Sequence, residues 1–247
     1  METKAEKSTP IPMTAMVLAA GLGLRMRPLT ETTPKPLIDV AGRPLIAPIL
    51  NALEEAGIKR VVVNMHHLAD QIRAFASEIV SPQIMLSDEE DKLLDSGGGI
   101  KKALPILGSA PFFVLNADSF WIDGPRSNLA RMAEAWQPDT MDILLLVVSG
   151  SQMTGYSGKG DFMMSPDALL SRRPEMMVAP FVYAGVAIIK PELFSETPEG
   201  PFSLNILFDR AIEANKLFGI RLDGEWLHVG TPDAIADAER RLMLSVL

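Results

Sequence analysis

Apolar and polar positions along the chain follow two alternating rhythms. Residues 15–19 are a short apolar run that ends in a glycine-containing loop. Residues 45–56 carry Leu45, Ile49, Leu50 and Leu53 at helical spacing and stop at Gly57, which predicts a helix with a glycine end. Residues 60–64 hold three consecutive valines, the composition of a strand buried on both faces. Residues 68–79 return to helical spacing through Ile72, Phe75 and Ile79. Residues 83–86, 111–115 and 143–148 read as further strands, and Ser127 can cap a helix running to about Trp136. Further on, residues 181–189 predict a long strand, and 204–214 and 233–244 predict helices. Between them, residues 149–180 are rich in Gly, Ser, Pro and Met and predict loops and short strands. Such alternation predicts an α/β, Rossmann-like fold: a mixed, mostly parallel sheet with helices on both faces.

Composition narrows the class. The chain has 247 residues, 47% apolar and 22% charged, which suffices for one large packed domain. Lys and Arg total 23 against 31 Asp and Glu, a net charge of −8. That balance argues against a nonspecific nucleic-acid binder but allows a small basic pocket for a phosphate-bearing ligand. There is no cysteine, so neither a disulfide framework nor a thiolate metal site or nucleophile can form. The first thirteen residues are polar, contain Pro10 and Pro12, and lack the apolar core of a signal peptide. No apolar run approaches the ~20 residues of a membrane span. The expectation is a soluble cytoplasmic protein without a membrane partner, with residues 1–13 a disordered tail and 14–247 a single domain. Neither an internal repeat nor a linker interrupts it.

The first loop carries the strongest chemical signal. Residues 19–30 read AAGLGLRMRPLT and follow the first predicted strand directly. In open α/β sheets, ligands bind beyond the carboxyl ends of strands. Gly21 and Gly23 let the backbone approach a ligand and point amides at it. Arg25 and Arg27 supply forked donors suited to phosphate oxygens. Lys35 stands between Pro34 and Pro36, which restrict the backbone so that its ammonium can be aimed at smaller entropy cost. The two glycines alone would also fit a tight strand-to-helix turn. The loop is not a dinucleotide fingerprint, because Arg25-Met26 stand where a third glycine belongs. It is not a Walker loop, because no Gly-Lys-Ser/Thr follows.

The run from Ala19 to Pro36 resembles the N-terminal motif AAGxGxRxxPLT…PKP of the sugar-1-phosphate nucleotidyltransferase family, and the resemblance continues to about Thr231. Within the family the chain looks most like the short, single-domain N-acetylmuramate-1-phosphate uridylyltransferases of cell-wall recycling. Mannose-1-phosphate guanylyltransferases and glucose-1-phosphate thymidylyl- and uridylyltransferases are broader relatives. The resemblance implies a fold of the nucleotidyltransferase type, a nucleoside triphosphate and a sugar-1-phosphate as ligands, and Mg2+ as cofactor, with Mn2+ as a substitute. It places Leu18, Ala19, Ala20, Gly21, Gly23, Arg25 and Asn64 at the nucleotide. It gives Lys35 the α-phosphate under attack.

Later segments continue the pattern. Asp95-Ser96-Gly97-Gly98-Gly99 precedes a predicted helical stretch at 101–104. Read alone it is a flexible loop or a flat backbone surface for a base; the resemblance implies the base, at Gly97 and Gly98. Asn116-Ala117-Asp118 ends a strand with a carboxylate, placed either to cap a turn or to hold a cation. The resemblance makes Asp118 a catalytic metal ligand and puts Asn116 near both nucleotide and sugar. Residues 158–162, Gly-Lys-Gly-Asp-Phe, and Tyr183-Ala184-Gly185 resemble the family's sugar segments, implying sugar contacts from Gly160, Asp161, Tyr183 and Gly185. The bland readings are a turn carboxylate for Asp161 and a core aromatic for Tyr183.

One departure stands out. The family's Trp-x-Asp-x-Gly-Thr, whose Asp is the second metal ligand, reads Trp226-Leu227-His228-Val229-Gly230-Thr231 here. Imidazole suits transition metals better than magnesium. His228 therefore joins the metal shell, or only hydrogen-bonds a water or phosphate. Adjacent His66 and His67 read as a polar loop pair. Two other classes remain: a nucleotide-sugar-binding regulatory subunit that has lost catalysis, motivated by His228, and a dinucleotide-dependent oxidoreductase, motivated by the glycine loop.

Overall fold

A computed structural model describes residues 12–89 and 91–245. The elements in order are β1 (Thr14–Leu18), β2 (Asp39–Val40), β3 (Arg43–Pro44), α1 (Ala47–Glu55), β4 (Arg60–Met65), α2 (Ala69–Glu78), β5 (Gln83–Asp88) and α3 (Asp95–Leu107). There follow β6 (Phe112–Asn116), β7 (Ser119–Asp123), α4 (Asn128–Ala135), β8 (Ile143–Ser149), β9 (Met153–Thr154), β10 (Phe162–Met164) and β11 (Leu170–Arg172). The last are β12 (Phe181–Ile189), α5 (Asn205–Glu213), β13 (Leu217–Arg221), β14 (Gly224–His228) and α6 (Asp233–Ser245).

The strands of the main sheet are apolar at consecutive positions because both faces are covered. Met16, Val62, Phe112, Val114, Leu145 and Val147 face one core, shared with Ile100 and Ala103 of α3 and Leu207 and Phe208 of α5. Their neighbours Ala15, Val17, Val61, Val63, Phe113, Leu115, Leu144 and Leu146 face the other, shared with Ile49 and Leu53 of α1, Ile72 of α2, Met132 of α4 and Ala238 of α6. This two-residue alternation between cores is what sandwiches the sheet between helices. The sheet has nine strands: β1 pairs in parallel with β4 and β6, β4 with β5, and β8 with β13. Long β12 runs antiparallel between β6 and β8 and also takes up the β10–β11 hairpin. The sheet is thus mixed and mostly parallel, as the alternating pattern predicts.

Several elements differ from expectation. The predicted tail falls on residues 1–11, outside the described residues, and on Pro12 and Met13. Pro12 is buried, and the Met13 carbonyl accepts the Lys59 N–H at 3.3 Å, so these two residues pack against the domain. Strand β7 is unanticipated; β14, β7 and β9 form a separate three-stranded sheet. Ser127 does cap α4, its hydroxyl accepting the Ala130 N–H at 3.4 Å.

The three glycines are neither a loop nor an open surface. They lie buried inside α3. A Cβ on Gly97 would overlap the Phe202 ring, one on Gly98 would overlap the Gly200 carbonyl oxygen, and one on Gly99 would stand 2.5 Å from Glu89 Oε1. Helix propensity favours alanine over glycine by about 1 kcal/mol, but overpacking against rigid backbone costs about 1–3 kcal/mol or more, and at Gly98 the blocking atom is backbone. Gly98→Ala should therefore lower unfolding free energy by about 1–2 kcal/mol in urea titration; a variant as stable as the wild type would show that the 200–202 segment yields freely.

Candidate active site

The carboxyl ends of β1 and β6 lie side by side, with Leu18 opposite Asn116 in the ladder. Beyond them opens a cavity of about 130 Å³. Leu18, Ala19 and Gly21 form one wall, Lys35 and Pro36 a second, and Asn116, Ala117 and Asp118 a third.

The first loop is held by its own backbone. Gly23 has φ +61°, and a Cβ there would stand 2.7 Å from Thr30 Cγ2 and 3.2 Å from Lys35 Cβ. The Thr30 hydroxyl donates to the Gly23 carbonyl at 2.9 Å. His67 Nε2 contacts the Thr30 carbonyl at 2.6 Å and Gln71 donates to the Thr32 carbonyl at 2.8 Å, which fastens the loop to α2. The Cβ direction of Gly21 meets nothing within 4 Å. Gly23 is thus a packing glycine, and Gly21 leaves space at the cavity.

Lys35 Nζ lies 2.9 Å from Asp118 Oδ2, with side chains 12% and 29% exposed. Burial pushes the Asp118 carboxyl up. The Lys35 ammonium, with smaller help from His228 and Arg25, more than offsets that and holds it below the ordinary carboxylate range. His228 reaches the same place through strand pairing: it stands opposite Ser119 in the β14–β7 ladder, and the Val229 N–H donates to the Asp118 carbonyl at 2.9 Å. Its ring stacks on Trp226 at 5.5 Å and 14°, and a Cβ on Gly230 would stand 2.5 Å from its Nε2. Burial pulls the His228 imidazole below its ordinary range, against the upward pull of Asp118; Lys35 and Arg25 lower it further. A neutral ring keeps a nitrogen lone pair free. Arg25 is exposed, and its charge acts on both Asp118 and His228.

The sugar segments converge nearby. Gly160 has φ +78°, and a Cβ there would overlap the Ala179 carbonyl oxygen. One Asp161 oxygen accepts the Tyr183 N–H at 2.9 Å, tying this segment to β12. Burial, then Asp161, raises the Tyr156 phenol. The Tyr183 hydroxyl is buried without a hydrogen-bond partner among the described residues, and burial, then Asp118, pushes its pKa well up. Gly185 sits at the irregularity of β12 with φ +82°; a Cβ would stand 2.7 Å from Ser119 Oγ and 3.1 Å from Asn116 Cβ. Gly185 thereby lies against the Asn116–Ser119 corner, and the Tyr183 ring packs edge-on against Phe208 at 5.5 Å.

Most of the expected residues converge. Leu18, Ala19, Gly21, Lys35, Asn116 and Asp118 share the cavity, and Ala20 is buried behind it. Arg25, His228 and Tyr183 are coupled to it through their charge interactions with Asp118. Asn64 differs from the direct nucleotide contact expected of it: it is buried, its Oδ1 accepting the Ala19 N–H and its Nδ2 donating to Glu89, both at 2.7 Å. Gly97 and Gly98 do not line this cavity; Gly98 borders another of about 430 Å³ with Lys92, Lys101 and Lys102. His66 and His67 make separate backbone contacts, to Glu89 and Thr30. Sequence reasoning missed Glu89, which sits in an acidic run, and Tyr156, whose ring lies 6.0 Å from that of Trp226.

A glycine loop, a lysine and a strand-end aspartate gathered at the carboxyl edge of such a sheet define a nucleotidyltransferase. Residues 15–196 match the MobA-like NTP transferase domain, and the chain belongs to that family. It is 43% identical over 235 residues to an N-acetylmuramate alpha-1-phosphate uridylyltransferase from Caulobacter vibrioides, covering 94% of this chain and 97% of that one. It is 37% identical over 232 residues to a protein of the same description from Neisseria meningitidis serogroup B, covering 92% and 97%. In fold it is similar to HddC from Yersinia pseudotuberculosis complexed with GMP-PN, with a TM-score of 0.74 at 19% identity, covering 93% and 99%. The family assignment sets aside the oxidoreductase alternative.

Replacing Lys35 exposes the charge balance. In Lys35→Met, burial acts on Asp118 with less cationic compensation, so its carboxyl should titrate at higher pH than in the wild type, as followed by carboxyl 13C NMR. Because the folded-state value is depressed in the wild type, its stabilising contribution is present above the ordinary value of 3.8 and lost as pH falls below it. The stability gap between wild type and variant should narrow over that acid range. An unchanged Asp118 titration would show that the ion pair is not maintained in solution.

Proposed function

We propose that this nucleotidyltransferase moves a uridylyl group from UTP to N-acetylmuramate 1-phosphate, with residues 14–247 acting as one catalytic unit. The observation that carries the reading is the Lys35–Asp118 pair facing the Ala19–Gly21 backbone across one cavity. The two uridylyltransferases named above, matched along nearly their whole length, supply the base and the sugar. The product, UDP-N-acetylmuramate, is a cell-wall precursor, which makes the reaction one of cell-wall recycling. We place it in the cytoplasm, where nucleoside triphosphates are made. No helix among the described residues is long and apolar enough to cross a membrane.

A phosphate oxygen of the sugar-1-phosphate attacks the α-phosphorus of UTP. The new P–O bond forms as the bond from the α-phosphorus to the α,β-bridging oxygen breaks, and pyrophosphate leaves. No covalent intermediate is required, so the chain's task is positioning and charge neutralisation. The 19–25 backbone holds the nucleotide phosphates. Lys35 moves from Asp118 to the α-phosphate and incoming phosphate, where charge gathers in the transition state. Arg25 neutralises the leaving pyrophosphate. Asp161, with one carboxylate oxygen engaged by the Tyr183 N–H, turns the other to the sugar, and the unpartnered Tyr183 hydroxyl gives a second polar contact there.

Among the described residues no group of three or more His, Asp or Glu gathers into a metal cage. Asp118 with neutral His228 beside it fits a dication that takes its remaining ligands from substrate phosphates and water. A Mg2+ or Mn2+ ion held there would neutralise phosphate charge at the reacting centre.

Pyrophosphate release across a matrix of nucleoside triphosphates and sugar-1-phosphates tests the assignment. UTP with N-acetylmuramate 1-phosphate should exceed every other pair by at least ~10-fold in kcat/KM. A maximum at GTP with mannose 1-phosphate would overturn it, and no release with any pair would favour a non-catalytic binding subunit.

A carboxylate adds charge that imidazole lacks. His228→Asp should therefore reach half-maximal activity at a several-fold lower free magnesium concentration than the wild type, and manganese should narrow that gap. Identical requirements in both forms would place His228 outside the metal shell.

A further inference from the structure

Among the described residues, Glu89 is the one charged residue fully buried, at 1% exposure. It comes directly after β5, and its N–H donates to the Met65 carbonyl at 2.8 Å, extending the β4–β5 ladder by one step. Strand alternation puts Glu89 on the same side as buried Ser87, while Asp88 turns to an ion pair with Arg73 at 2.5 Å. The Glu89 carboxylate is met by two N–H donors. Oε1 accepts Asn64 Nδ2 at 2.7 Å and Oε2 accepts the Leu94 N–H at 2.9 Å. The opposite end of the Asn64 amide accepts the Ala19 N–H at 2.7 Å. Gly99 has to be glycine for this to fit, since a Cβ would stand 2.5 Å from Glu89 Oε1 and 2.9 Å from Asn64 Nδ2.

We propose that Glu89 is the positioning residue of the nucleotide half of the site. Through Asn64 it orients the Ala19 peptide at the cavity wall, and through Leu94 it anchors the segment leading into α3. The logic is one of donors and acceptors. A carboxylate only accepts, so it forces Asn64 to present Nδ2 inward and Oδ1 to Ala19. Were the Asn64 amide flipped, its NH2 would face the Ala19 N–H, donor against donor, in a buried place. A buried group left so is costly. Glu89 is remote from the reacting atoms and acts only by fixing which way a second side chain points. The inference rests on the nucleotide-transfer reading of the cavity.

Exchange of the two side-chain chemistries tests it. In Glu89→Gln one end of the new amide donates, so either the Leu94 N–H or, after an Asn64 flip, the Ala19 N–H faces a donor. In Asn64→Asp two carboxylates face each other. In the double variant, which combines Asn64→Asp with Glu89→Gln, every bond can form again. The introduced aspartate accepts from Ala19 and from the introduced glutamine amide, whose oxygen accepts the Leu94 N–H. UTP binding is measured by calorimetry without sugar phosphate, and the KM values of both substrates are measured alongside. Each single variant should weaken UTP binding by about tenfold or more, the cost of one lost buried hydrogen bond, with the KM for N-acetylmuramate 1-phosphate within about twofold. The double variant should recover UTP binding to within about threefold of the wild type. Should a single variant fail to fold, a folded double variant carries the test by the same threefold criterion. Single variants that bind UTP as the wild type does, or a double variant no better than the singles, would overturn the role of Glu89 alone. A wild type that binds no nucleoside triphosphate would overturn the proposed function, and this inference with it.

Discussion

Parallel pairing of β1 with β4 on one side and β6 on the other brings the ends of three strands into one row. Leu18, Asn64 and Asn116 fall at that edge because parallel strands in register finish on the same side of the sheet. The chemistry then depends on the residues at each strand's carboxyl end. After β1 comes a loop of small residues, after β6 an aspartate, and at the end of β4 an amide that reaches back to the Ala19 peptide. The long antiparallel β12 closes the row from the far side and carries Gly185 to the same corner.

The cleft is an assembly of compensated charge. Asp118 sits where burial alone would raise its carboxyl, and Lys35 reverses that. Burial lowers the His228 imidazole against the upward pull of Asp118, and the Lys35 and Arg25 cations lower it further. The pair is partly sheltered, so both members remain open to exchange partners: the ammonium for a phosphate, the carboxylate for a cation. That readiness to exchange is what a transfer between two phosphorylated substrates needs, since the charge to be neutralised arrives with the substrates.

Glycine serves two distinct purposes here. At Gly23, Gly97, Gly98, Gly99 and Gly185 the missing Cβ is matched by a neighbouring protein atom within 3 Å, so these positions let segments approach each other. At Gly21 the same direction is open. The three-glycine helix start is therefore explained by packing against Phe202, Gly200 and Glu89 before any ligand is considered.

The sequence by itself determined the alternation of strands and helices, the apolar runs of a sheet covered on both faces, and the first loop with its glycines, arginines and proline-flanked lysine. These are readable because they depend on residues within a few positions of one another. Only the tertiary structure decided that β7 and β14 pair, which sets His228 beside Asp118 although the two are far apart in the chain. It alone turned Asn64 inward and Glu89, which sits in an acidic run, into the core. It also put the glycines, expected as a flat surface for a base or as a flexible loop, inside the packed helix α3. Strand register, partner identity and the direction of a buried amide are set by contacts between segments distant in sequence, and no local pattern encodes them.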